Sequence, residues 1–250
     1  MTVLTSLPTL AFAEARLLTR EWAAMVFAFV FPPLMMVVLA GVFGSEPDVA
    51  YGGATGTDYY IAAYIGVPLG ALSLVGLPVM LASYRERGVL RRFEAFGVPT
   101  LTVVLAQAAV TAVLVVLGAA LVLAVAAPVY GIPAVQDLWG VAAGFAGGAV
   151  TMITLGVALG LAAPTARAAQ ALGLLVFMPM WLLGGGGPPR TVMTSAMQGV
   201  TDVMPLWHTT AGIRAPWLGT GEVGSHLVPL AAWFAFGLLA VVVLVRRRDT

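Results

Sequence analysis

The sequence predicts an all-α polytopic membrane protein. Six transmembrane helices are framed by an N-terminal interfacial amphipathic helix, a short charged helix between the second and third spans, and an outer amphipathic helix before the last span. Three observations carry this prediction. Only 9% of residues are charged and 60% are hydrophobic, with mean hydropathy +0.99, where soluble domains carry roughly a quarter charged residues. Six uncharged runs approach or exceed the about 20 residues that a bilayer-spanning helix needs. The arginines, finally, are divided very unevenly among the connecting segments.

Composition also excludes function classes. The net charge of +1 gives no global field toward nucleic acid. Every basic residue is Arg, and Lys is absent. There is no Cys, which removes disulfides, thiolate chemistry and Cys-ligated zinc or iron–sulfur sites. His208 and His226 fit no HExxH spacing, so no metal site is expected. An AxA stands at Ala11 to Ala13, but no Arg or Lys precedes its short apolar run, and no cleaved signal peptide is expected.

Val3 to Glu21 reads as an amphipathic helix along the membrane surface, with Val3, Leu7, Leu10, Ala11, Leu17 and Leu18 on one face and Thr5, Thr9, Arg16 and Arg20 on the other. Residues 22–43 form the first span, kinked at Pro32 and Pro33. GSEPDVAYGGATGTD then holds acids but no Arg and reads as an outside loop. Residues 59–83 form the second span, with Tyr59, Tyr60 and Tyr64 placed like an interfacial aromatic anchor. Tyr84 to Pro99, YRERGVLRRFEAFGVP, is a charged island.

The third span, 100–126, has one strongly polar side chain, Gln107. It reads as an interhelical hydrogen-bonding residue, with substrate contact the alternative. PVYGIPAVQD is a second outside loop. In the fourth span, 138–163, Gly140, Gly144, Gly148, Gly156 and Gly160 recur at multiples of four residues, a stripe that lets another helix approach closely. The fifth span, 170–187, contains Pro179 and ends in Gly184 to Gly187 followed by Pro188 and Pro189. Beyond it, Met193, Met197, Val200 and Met204 fall at helical spacing opposite Ser195, Gln198 and Asp202. These predict an outer interfacial helix stopped by Pro205. The sixth span, 226–245, is closed by Arg246, Arg247 and Arg248.

Ten arginines fall on one side of this layout, and only Arg190 and Arg214 on the other. The positive-inside rule then expects both termini in the cytoplasm of a multi-pass cell-membrane protein. No repeat or low-complexity linker divides the chain, so 1–250 is read as a single transmembrane domain.

The spans hold no Asp, Glu, Arg or Lys in their interiors, whereas proton- or sodium-coupled carriers build their ion sites from such groups. Without Lys the chain cannot form a GxxxxGK[ST] phosphate loop. No enzymatic activity is expected of this chain. A charged island on the cytoplasmic side is what a membrane subunit offers to a separate ATPase, and the alternative is a loop that only sets topology.

RERGVLRRFEAFGVP after the second span resembles the Glu-x-Gly-x-Leu-x-Arg-Leu coupling signature of ABC type-2 transporter permeases, with Phe93 in place of the usual Leu. The resemblance is to the daunorubicin-type drug-efflux branch in particular. LLGGGGPPRTVMTSAMQ resembles that family's Gly-Pro re-entrant or outer-helix segment, and MPLWHTTAGIR its Asn-Pro-Leu-Thr-Tyr segment with Met204 and His208 substituted. The resemblance implies that the charged island is a cytoplasmic coupling helix, with Arg85, Glu86, Arg87, Gly88, Leu90, Arg91, Arg92 and Phe93 as the ATPase-coupling residues. It implies a paired permease, a homodimer or a heterodimer with a close paralogue, docked to two copies of an ABC ATPase that bind ATP and Mg, with no cofactor on this chain. A hydrophobic small molecule is the expected cargo, with Gln107, Met180, Trp181, Met193 and Met197 as the candidate substrate path. A polysaccharide or lipid-linked glycan, or a non-transport assembly role, are the alternatives.

Overall fold

The computed structural model describes residues 25–246. The amphipathic segment Val3 to Glu21, the first residues of the first span, and Arg247 and Arg248 lie outside the described residues. Among those described, six helices are long and apolar enough to cross a membrane. They are α1 (Val26–Phe43), α2 (Gly56–Glu86), α4 (Thr100–Tyr130), α5 (Leu138–Ala162), α6 (Ala166–Gly186) and α9 (Gly224–Arg246). Three shorter helices join them: α3 (Val89–Ala95), α7 (Ser195–Val203) and α8 (Pro205–Leu218).

Helix starts follow side-chain capping. The Thr55 hydroxyl accepts from the Asp58 N–H at the head of α2, Asp137 from Gly140 at α5, and Thr165 from Ala168 at α6. Each satisfies one of the orphan donors of a first turn. Thr55 and Thr165 explain why α2 and α6 begin a few residues before the expected 59 and 170. Prolines mark the irregular turns: wide π turns cover Val26–Val30 before Pro32 and Leu72–Gly76 before Pro78. A widened turn makes room for a ring that would otherwise strike the preceding carbonyl.

α2 is the axis of the molecule. Its most apolar stretch is buried throughout, and α1, α4, α5, α6 and α8 pack around it. Tyr59, Tyr60 and Tyr64 therefore do not form a lipid-facing belt, as their position in the sequence suggested. All three are buried, and Tyr60 and Tyr64 donate their hydroxyls to the carbonyls of Gly187 and Gly186 at 3.0 and 2.8 Å. The glycine-rich end of α6 is non-helical at Gly184 and Gly185, and hydroxyls from α2 and α8 take up the carbonyls this frees.

The segment after α6 departs most from expectation. α7 matches the anticipated amphipathic helix, but Pro205 does not end the helical region. It opens α8, where Pro at the first helical position loses nothing because its N–H would be unpaired anyway. α8 is buried on nearly every side and packs chiefly on α5, then on α9 and α2. At 1.5 Å per residue it is too short to cross about 30 Å of hydrocarbon. Its first turn meets Gly70 midway along α2, and its last turn accepts from the backbone N–H groups of Gln136 and Asp137. α7 and α8 follow one another between α6 and α9, and the last turn of α8 lies beside the loop that precedes α5.

Candidate functional site

The arginine-rich end of α2 organises the candidate site. Gly88, at φ +66°, takes a left-handed conformation that side chains other than Gly resist, and it breaks the chain between α2 and α3. Gly97, at φ +78°, breaks it again before α4. Between them α3 stands as a short helix at the mouth of a cavity of about 670 Å³. Leu101 and Val104 of α4, Leu161 of α5 and Val241 and Val245 of α9 wall this cavity, and Arg91 and Glu94 rim it.

Arg85 and Glu86 turn inward. Arg85 Nη1 lies 2.8, 2.7 and 2.9 Å from the carbonyls of Gly160, Leu161 and Ala163, the last turn of α5. Glu86 Oε2 accepts the Ala166 N–H at 3.0 Å, the first donor of α6. A cation at a helix C-terminus and an anion at an N-terminus both complement the backbone dipole. Both side chains thus make hydrogen bonds within the chain, while Glu86 also remains exposed.

Leu90 is 7% exposed and sits in the main core, and the half-buried Phe93 packs beside it. Exposed here are Arg87 just before α3, Arg91, Arg92 and Glu94 on it, and, just past its end, Phe96, which is 85% exposed. Phe96 falls after the helical run, so the helical pattern assigns it to no face. The adjoining Gly97 was the available signal, since a chain break there turns the preceding side chain out.

The glycines of α5 lie on its buried face. A Cβ at Gly144 would strike the Gly212 carbonyl of α8, and one at Gly156 the Ser73 carbonyl of α2. One at Gly148 would meet the Thr209 side chain, one at Gly160 the backbone of Pro78, and one at Gly140 its own capping residue Asp137 and Pro216. One stripe thus takes α8 on its upper half and α2 on its lower half.

The five candidate path residues do not share one cavity. Met180 lines a groove of about 480 Å³ with Val200 and Val203 of α7, Pro205, and Trp233 of α9. Trp181 packs edge-on against Phe31, Met193 is buried against Thr201, and Met197 is exposed. Gln107 is fully buried in α4, where its backbone carbonyl accepts from the Thr111 hydroxyl one turn on.

At the opposite end of the molecule Arg190 and Asp202 pair through both carboxylate oxygens. The hydrogen-bonded guanidinium holds the Asp202 carboxyl below its usual range. His208 Nε2 lies 2.7 Å from the Asp202 carbonyl and its Nδ1 3.2 Å from His226 Nδ1, which ties α8 to α9. The described residues contain no cluster of three metal-ligating side chains.

The model of a family described as ABC-2 type transporter matches residues 5–217 of this chain. No curated protein and no solved structure matches it.

Proposed function

The chain belongs to the ABC-2 type transporter family, the membrane components of ABC transporters, and on that premise we propose that it exports a hydrophobic or amphiphilic compound with energy from a separate ATPase. The family implies an ABC ATPase partner and a lipid surround. Two ATPase copies carrying ATP and Mg, a second permease copy, and a drug-like cargo of the daunorubicin type are the finer parts of the proposal. The arginine-rich face is cytoplasmic in this reading, with both termini on that side.

The single observation that carries the reading is α3. A helix set off by two left-handed glycines at the end of the fully packed axial helix offers Arg91, Arg92 and Phe96 to a partner while its inner face stays in the core. An exposed aromatic next to exposed arginines has the make-up of an interface hot spot, and a rigid axis behind it carries any push into the membrane. An amphiphilic cargo accords with spans free of charged interiors and with the apolar groove at Met180 and Trp233.

The test is purification of the tagged chain from its native membranes in mild detergent. An ABC ATPase should co-purify, and its hydrolysis should rise when daunorubicin is added after reconstitution. A chain recovered repeatedly without any ATPase would contradict the proposal.

A further inference from the structure

We infer that Arg85 and Glu86 form a positioning clamp that makes the end of α2 and the α5–α6 corner one rigid body, so that a push on α3 moves three spans together. The docking reading of α3 enters this inference only as the source of the push.

Arg85 and Glu86 are adjacent in the chain. Placed in succession on the last turn of α2, a cation and an anion reach the opposite poles of two different helices, the C-terminus of α5 and the N-terminus of α6. Each bond is charge-assisted, the stronger class of hydrogen bond. The corner between them, Ala163 to Thr165, is short and has its own cap in Thr165, so fixing both ends fixes the corner.

Packing above the clamp extends it. Gly156 and Gly160 of α5 let the α2 backbone approach at Ser73 and Pro78, and Gly173 of α6 does the same at Leu74. With no side chains between the backbones, α2 has little room to slide against α5 or α6.

Beside the clamp and α3 lies the cavity. Leu101 and Val104 of α4 and Val241 and Val245 of α9 line its volume of about 670 Å³. Arg85, Glu86 and Leu161 line the same cavity, so the clamp forms part of its wall. A force on α3 is therefore passed through the clamp to the ends of α2, α5 and α6 together, with α9 following where it packs on α5. Arg85 and Glu86 act through the backbone of α5 and α6, and their contribution is to coupling efficiency rather than to partner affinity.

The chain has no Cys, so spin labels can be placed cleanly at Ala95→Cys and Arg167→Cys. Their distance distribution is measured in the permease alone, in lipid nanodiscs. The wild-type background should give one narrow peak. Arg85→Ala with Glu86→Ala should broaden it about twofold or more as the corner gains loop-like motion. Arg85→Lys with Glu86→Gln, which still donate and accept, should keep it narrow. If the double alanine variant does not fold, Glu86→Ala alone carries the comparison. In the complex with the ATPase, the clamp-broken variant should retain the ATPase and its KM for ATP while kcat changes by about threefold or more, with recovery in the Lys/Gln variant. An equally narrow peak in the alanine variants, or a Lys/Gln variant as broad as they are, would overturn the clamp. The distance measurement needs no ATPase, so it decides the clamp even where the docking reading fails.

Discussion

The guanidinium carbon of Arg214 in α8 sits 4.0 Å from the centroid of the Tyr59 ring in α2, and 5.1 Å from that of Trp207. A charge only 7% exposed is thus faced by two aromatic rings, with its Nη1 left without a hydrogen-bond partner among the described residues. Cation–π attraction reaches about 2 kcal/mol when desolvated. Tyr59→Leu, which removes the ring and leaves the charge buried, should lower stability by about 2 kcal/mol, whereas Tyr59→Phe keeps the π face and should cost much less. Denaturant unfolding in detergent checks this, and equal losses in the two variants would show that the ring face is not what holds Arg214.

The contact between Gly144 and Gly212 gives a second prediction. Gly144→Leu should separate α5 from α8 and lower the melting temperature sharply, because its Cβ alone meets a carbonyl oxygen. Gly148→Leu should act likewise against Thr209. Gly199→Ala is the contrasting case: its Cβ meets nothing within 4 Å on a regular helix. It should be neutral or stabilise by up to about 1 kcal/mol. Thermal scans of the three in one detergent settle the order.

Orientation is tested with an impermeant thiol reagent on intact cells, which the Cys-free background makes clean. Glu46→Cys and Gln136→Cys should label from outside, and Arg92→Cys and Arg167→Cys only after permeabilisation. Labelling of Arg92→Cys in intact cells together with protection of Glu46→Cys would invert the proposed topology.

Span positions were legible because lipid demands long uncharged runs, and the ends of α4, α5 and α9 fell within a few residues of expectation. The centre of the bundle was not. A helix buried by protein on all sides and one bathed in lipid are both apolar all round, so nothing in residues 59–83 marked α2 as the axis. α8 was hidden for a different reason. His208, Thr209, Thr210 and Arg214 interrupt any apolar run, yet the first three satisfy themselves on the carbonyls of Asp202, Pro205, Gly184 and Trp207. Within the coupling segment the apolar residues Leu90 and Phe93 looked like partner anchors. Helical spacing shows which residues share a face, but not whether that face meets the chain's own core or a partner, and α3 turns it toward the core.

The central claim is that α3 docks an ATPase through its outward face. Retention of the ATPase by Phe96→Asp should fall by about tenfold or more, since burying a Phe is worth roughly 1.5 to 3 kcal/mol and a charge in its place adds a desolvation penalty. Leu90→Ala should instead lower the stability of the permease itself by about 2 to 5 kcal/mol. The decisive measurement is the affinity of purified ATPase for the nanodisc-embedded permease, wild type against Phe96→Asp, with monodispersity and melting temperature unchanged by the substitution. A loss of binding in Phe96→Asp is the predicted result. Binding as tight as wild type would contradict the account.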